Sequence, residues 1–282
     1  MIIEGTVGTK SALVVEGGAM RGIFAAGVLD HFLDIDHRPY DFCLGVSAGS
    51  TNLAAWLANQ PGRSHRVITD YSCRKQFIDL SRFIRGGHWL DIDWLWEVTI
   101  DEIPIDGWEL EQQSIPLYVV TTNVDNGEPH YIQATEQNLN QLLKASCAVP
   151  LAYRNYPQMD GYEMTDGGVA DSIPVIKAYE MGARDITVVL SRPQGYRKKA
   201  PSSAWLVRKL LRNKPGLAQA MLKRADSYNR AIDFIYNPPE DCNIRIITPP
   251  DSFEVGRVTT DNRKLQRGYE QGVAAAKAML AS

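Results

Sequence analysis

Ser47 stands at the centre of Gly45-Val46-Ser47-Ala48-Gly49, a Gly-x-Ser-x-Gly pentapeptide that follows Asp41-Phe42-Cys43-Leu44 and precedes the helix-forming run Ser50 to Ala58. A buried strand, a sharp turn and a helix in that order form the setting of a nucleophile elbow. Gly45 and Gly49 let the backbone turn without Cβ clashes, so the Ser47 hydroxyl is exposed at a helix N-terminus. A serine presented in this way attacks carbonyl carbon, provided that a neighbouring base takes its proton.

The five histidines are His31, His37, His65, His88 and His130, and none follows residue 130. A Ser-Asp-His triad in the order of the α/β-hydrolases requires a late histidine, so a conventional triad esterase is disfavoured. A carboxylate is the better base. Asp166 precedes Gly167-Gly168 at the expected end of a strand that begins near Tyr162. Upstream, the apolar Ala12-Leu13-Val14-Val15 leads into Glu16-Gly17-Gly18-Ala19-Met20-Arg21-Gly22 and then a helical run. A glycine loop between strand and helix leaves backbone N–H groups free to meet an oxyanion. The loop is not a dinucleotide fingerprint, because Ala19 breaks Gly-x-Gly-x-x-Gly. Nor is it a P-loop, because Ile23 and Phe24 stand where Lys and Ser/Thr belong. Asp171 is expected in a structural turn or cap.

These three elements, in this order, resemble the patatin-like phospholipase family, whose pattern is a Gly-Gly-Gly/Ala-x-Arg/Lys-Gly loop, then Gly-x-Ser-x-Gly, then Asp-Gly-Gly/Ala. The small-residue run Ala145-Ser146-Cys147-Ala148-Val149-Pro150 also looks like the family's segment before the acid. The resemblance covers residues 13–190. It implies a Ser-Asp dyad: Ser47 attacks an ester carbonyl, and Asp166 takes the proton and later hands it to the leaving alcohol. Free Asp titrates near ~3.9, so burial in an apolar pocket is expected to raise Asp166. Gly18 and Ala19 are the expected oxyanion donors, with Gly17, Arg21, Gly22, Gly45, Gly49, Gly167 and Gly168 in support. Ala19 replaces a glycine found in many members, and its N–H still donates if φ stays negative. Arg21 either steadies the loop or meets a phosphate headgroup. The implied activity is hydrolysis of lipid carboxylic esters through an acyl-enzyme, of phospholipase A or lysophospholipase type, without metal or organic cofactor. Two alternatives share the fold: a catalytically silent lipid-binding or scaffold protein, and a short-chain esterase or thioesterase using the same dyad.

The elements that must position these residues alternate between strand and helix, which predicts an α/β fold. Its mainly parallel central sheet is wrapped by helices in a three-layer arrangement. With 282 residues and 44% hydrophobic content, a single domain over 1–282 is expected. Its motif-bearing part is about 11–190 and its C-terminal, helical part about 200–282. Strands are expected at 117–121, 130–134 and 185–190, and helices at 136–145, 174–181 and 261–280. The segment 77–114, with Trp89, Trp94, Trp96 and Trp108, is either an insertion that roofs the site or a helical layer with buried tryptophans.

Residues 197–224 hold nine Lys and Arg and no acid, with Trp205, Leu206, Leu210 and Leu211 at near-helical spacing. That helix either packs its apolar stripe on the core or makes peripheral contact with an anionic membrane surface. The next helical run presents Leu217, Met221, Ala225, Tyr228, Ile232 and Ile235 to the core. A net charge of −3 argues against nucleic-acid binding. The four cysteines (Cys43, Cys73, Cys147, Cys242) are widely spaced, without Cys-x-x-Cys, which speaks against a metal site or disulfide framework. Together with an N-terminal stretch, residues 1–8, too short and interrupted by Glu4 and Gly5 to be a leader, this predicts a cytoplasmic protein, peripheral on the inner membrane face if the basic helix binds lipid. No apolar run reaches the roughly 18 residues of a membrane span. Nothing in the sequence points to a particular oligomeric state.

Overall fold

The computed structural model describes residues 9–281, so the expectation for residues 1–8 lies outside the described residues. Eight strands form one sheet in the order β5-β6-β3-β2-β1-β7-β8, with β4 also paired to β3. The strands are β1 (Lys10–Val15), β2 (Phe42–Val46), β3 (Leu117–Asn123), β4 (Pro129–Gln133), β5 (Gln158–Met159), β6 (Tyr162–Asp166), β7 (Ala183–Val189) and β8 (Asn243–Ile247). Strands β3, β2, β1, β7 and β8 are parallel, while β4 and β6 are both antiparallel to β3. The α/β, mainly parallel expectation is met.

The helices are α1 (Gly22–Asp34), α2 (Ala48–Leu57), α3 (Arg63–Arg66), α4 (Leu80–Ile84), α5 (Ile92–Glu102), α6 (Gly107–Gln112), α7 (Leu139–Cys147), α8 (Val175–Glu180), α9 (Ala204–Leu210), α10 (Pro215–Tyr236) and α11 (Asn262–Leu280). Both faces of the parallel strands are covered, which explains their continuous apolar sequences. In β1, Leu13 and Val15 face a core built with α1, α2, α7 and α11, while Ala12 and Val14 face one built with α8 and α10. Between α1 and α11 the crossing is very close: a Cβ on Gly27 would lie 2.1 Å from Tyr269 O, and one on Gly272 2.1 Å from Phe24 O. Only glycine admits that approach, which fastens the C-terminal helix to the helix that follows the glycine loop.

Two features differ from the sequence-based expectation, and a third decides between its two alternatives for residues 77–114. The C-terminal part is not wholly helical, because β8 extends the parallel sheet beside β7. Helix α9 does not lay its apolar stripe on the core: Trp205 is 66%, Leu206 46% and Leu210 55% exposed, and only Leu211 is buried. The segment 77–114 is a small helical cap with its own apolar cluster around Phe77, Leu90, Ile92 and Leu95. Its tryptophans are not buried; Trp89, Trp94 and Trp96 are half-buried, and Trp108 is exposed. The core-facing side of α10 is as expected for Leu217, Ala225, Tyr228, Ile232 and Ile235, with Met221 half-buried.

Candidate active site

Strand register brings the motifs to one edge of the sheet. Val15 at the end of β1 pairs with Gly45, Val46 at the end of β2 pairs with Val120, and Thr121 pairs with Asp166. The glycine loop, Ser47 and Asp166 therefore leave neighbouring strands at the same end. Ser47 has φ 53 and ψ −127, a left-handed conformation at the turn into α2. Such strain in a non-glycine residue costs roughly 1–3 kcal/mol and persists only where the surroundings enforce it. Here Ser146 at the end of α7 accepts the Ser47 N–H at 2.8 Å, and the Ser47 carbonyl takes the Ser50 N–H at 2.9 Å and the Ser50 hydroxyl at 2.6 Å.

The same segment of α7 holds the acid. The carbonyl of Ala148 accepts the Asp166 N–H at 3.0 Å and the Thr165 hydroxyl at 2.6 Å. Asp166 is 6% exposed, and its carboxylate accepts the Gly168 N–H at 2.7 Å. Cys147, at the end of α7, lines the apolar cavity together with Ser47. Burial, with the Asp166 charge adding to it, pushes the Cys147 thiol well above its ordinary value. Gly167 is required by close approach, since a Cβ there would lie 2.1 Å from Val120 O.

Gly18 and Ala19 line the polar cavity together with Ser47, and neither backbone N–H donates to another part of the protein among the described residues. Ala19 departs from the expectation. Its φ is +50, not negative, so the condition set on its φ fails, and its place as a donor rests instead on an unbonded N–H in a residue that lines the cavity beside Ser47. Arg21 lies beneath the loop rather than in a cavity. It is 3% exposed and its Nε and Nη2 donate to Ser191 Oγ at 3.2 and 3.1 Å. Burial lowers its pKa to about 10, with Glu16 opposing that shift. Of its two expected roles, the contacts fit loop support.

Ser47, Ala19, Val149 and Arg257 line two cavities at once. One is apolar and runs under the cap, with Ile68, Phe77, Leu95, Trp96 and Leu143 on its walls. The other, smaller, is polar and contains Glu16, Gly17, Gly18, Asp166, Gly168, Ser172, Lys198 and Arg224. No histidine lines either one. Among the described residues no group of three or more His, Cys, Asp or Glu is gathered to hold a metal ion.

Lys198, Arg224 and Arg257 were not anticipated here. The first two belong to the basic run, but their convergence on Ser47 needs the tertiary structure; Arg257 carries no local signal. Asp171 sits apart, bonded to the Tyr131 hydroxyl and the Ile173 N–H in the turn role expected of it.

A family model described as "Patatin-like phospholipase" matches residues 13–179. The chain belongs to the patatin-like phospholipase family. A second model, "Domain of unknown function (DUF6363)", matches residues 214–282 of this patatin-like chain. Among curated relatives, the uncharacterized protein YjjU of Escherichia coli (strain K12) is 34% identical over 283 residues, a match that covers 97% of this chain and 78% of that protein. In fold, the patatin-like chain is similar to VipD from Legionella pneumophila. The TM-score is 0.55 at 14% identity, over 97% of this chain and 67% of VipD. No helix among the described residues is long and apolar enough to cross a membrane.

Proposed function

We propose that this patatin-like protein is a serine acyl hydrolase that cleaves carboxylic esters of lipids with a Ser47-Asp166 dyad. The observation that carries the reading is the position of Ser47 at the junction of an apolar cavity and a polar one that also contains Asp166. An ester bound across that junction has its acyl chain under the cap and its alcohol on the polar side.

The steps follow from the groups at hand. Ser47 Oγ attacks the ester carbonyl while Asp166 takes the hydroxyl proton. Negative charge developing on the carbonyl oxygen meets the Gly18 and Ala19 N–H groups, an interaction worth about 2.7–4 kcal/mol per donor in comparable sites. The N-terminus of α2 adds its partial positive charge at the serine. Collapse expels the alcohol, protonated by Asp166, and leaves an acyl-enzyme. A water deprotonated by Asp166 then releases the fatty acid and restores Ser47.

Helix α9, with Trp205, Leu206 and Leu210 exposed beside Arg208 and Lys209, has the composition of an element that rests on an anionic lipid surface. The hydrolase reading is tested by release of fatty acid from a panel of monoacyl and diacyl lipids. Activity on at least one lipid, lost in both Ser47→Ala and Asp166→Asn with the circular dichroism spectrum unchanged, supports it. Equal turnover by the wild type and either variant overturns it.

A further inference from the structure

The polar cavity beside Ser47 gathers more positive than negative charge. Lys198, Arg224 and Arg257 line it, and Arg21 lies just beneath. Among the described residues none of these four enters a salt bridge. The carboxylates nearby are Glu16 and Asp166, which act on Lys198, Arg21 and Arg224 across the cavity without forming an ion pair with them, so two negative groups stand against four positive ones. Gathering like charges is unfavourable where they are partly withdrawn from water, as Lys198, Arg224 and Arg21 are, unless an anion joins them.

Two of the three cations are held in place. Arg224 donates its Nε–H to the Gly168 carbonyl at 2.6 Å, which leaves the rest of the guanidinium beside the Asp166 loop. Lys198 is fixed through its backbone: its N–H donates to Asn229 Oδ1 at 2.9 Å, and its carbonyl accepts from Asn229 Nδ2 at 3.0 Å. Its ammonium lies 4.2 Å from the centre of the Tyr228 ring and 3.4 Å from Ser172 Oγ, with no carboxylate partner. Arg257 is exposed at the junction, and its guanidinium bonds to no group among the described residues. Two of the three cations, Arg224 and Arg257, come from the segment that matches a domain of unknown function.

We propose that Lys198, Arg224 and Arg257 form an anion subsite that holds the phosphate of a lipid headgroup while Ser47 meets the ester. The preferred substrate class is then an acyl glycerophosphate whose phosphate is uncapped. This rests on the hydrolase reading for the role of Ser47, but the subsite itself is a matter of binding. Three positive groups around a small cavity match a phosphate monoester, with its charge of nearly two and three acceptor oxygens, better than a neutral glyceride. The 214–282 segment thereby supplies substrate selectivity to the motif-bearing part of the chain.

The test uses the full chain carrying Ser47→Ala, titrated with 1-acyl-glycerol 3-phosphate and with the 1-monoacylglycerol of the same acyl chain, both below their micelle concentrations. Expected is at least tenfold tighter binding of the phosphate lipid. Lys198→Gln with Arg257→Gln, added to the same chain, should bring the two affinities within about twofold, and Lys198→Arg with Arg257→Lys should keep most of the preference. Glycerol 3-phosphate should compete with the phosphate lipid, as the headgroup's own phosphate requires. Four results would each overturn the proposal: equal binding of the two lipids, no binding of the phosphate lipid, a preference that survives in the double Gln variant, or glycerol 3-phosphate binding without displacing the lipid, which would mark a separate anion site. Hydrolysis by the unsubstituted chain is measured alongside. A missing turnover with the binding preference intact would count against the hydrolase reading alone.

Discussion

Ser146 accepts the backbone N–H of Ser47 at 2.8 Å, and the same hydroxyl donates to the Val120 carbonyl at 2.6 Å. Through this one side chain α7 holds the strained elbow to β3. Ser146→Ala leaves a buried N–H and a buried carbonyl without partners, which costs about 1–3 kcal/mol. The loss should appear in urea titration as a lower midpoint with an unchanged slope. The rate of lipid hydrolysis should fall mainly through kcat, because neither cavity loses a wall.

Ala19 carries a second strained backbone. With φ +50, an alanine costs roughly 1–2 kcal/mol more than glycine, offset by about 0.4–1 kcal/mol because glycine loosens the unfolded chain. Ala19→Gly is therefore expected to leave stability unchanged or raise it by up to about 1.6 kcal/mol, and to retain activity. Ala19→Val, β-branched at positive φ, should destabilise measurably and reduce kcat as the oxyanion N–H groups shift. Matched thermal melts and single-turnover rates on the two variants check this pair of outcomes.

How much of this was legible in the chain depends on whether a function sits in one local run. The elbow, the Asp166 turn and the glycine loop each occupy a few consecutive residues, so residue type and spacing placed them at strand ends that the sheet aligns. Ser146 lay inside a small-residue run that could be seen, but its bond to Ser47 could not, since that depends on α7 crossing the sheet. Ala19 shows the limit of local reading: its residue type gave no hint of a positive φ. Lys198, Arg224 and Arg257 arrive from a loop, α10 and the approach to α11, and only the fold makes them one group. The basic run as a whole suggested a solvated or lipid-facing helix, whereas Lys198 and Arg224 from its two ends turn inward. Strand β8 was missed because Asn243–Ile247 is short and mixes polar with apolar residues.

Lys198 gives a pH signature. Burial, reinforced by the like charge of Arg224, pushes its pKa from an ordinary 10.5 down to about 7, with Arg257 and Arg21 acting in the same direction and Glu16 against. The ammonium is charged below about 7 and loses its proton above it. KM for an acyl glycerophosphate should therefore rise as pH increases from 6.5 to 8.5, although a bound phosphate will favour the charged form and move the rise upward. In Lys198→Arg, which stays charged throughout, the rise should vanish. An identical profile in the two proteins would remove Lys198 from headgroup binding.

For α9, Trp205→Ser combined with Arg208→Gln and Lys209→Gln should weaken co-sedimentation with phosphatidylglycerol-containing vesicles. Raised salt should weaken it in the wild type, because exposed charges are screened over about 8 Å at physiological ionic strength. Cleavage of a short soluble ester should be unaffected, as the helix contributes no residue to either cavity that Ser47 lines. Equal sedimentation of the wild type and variant would leave α9 without a membrane role.

The central claim is that Ser47 is a nucleophile activated by Asp166 without a histidine. Its most direct measurement is covalent labelling by a fluorophosphonate, with the modified residue located by mass spectrometry. A single label is expected on the Ser47 peptide, absent in Ser47→Ala and slowed at least 100-fold in Asp166→Asn. Rates within a few-fold of wild type are expected when each of the five histidines is replaced in turn. A label on another residue, or a 10²–10⁴-fold loss of rate in any one histidine variant, as general-base removal would give, contradicts it.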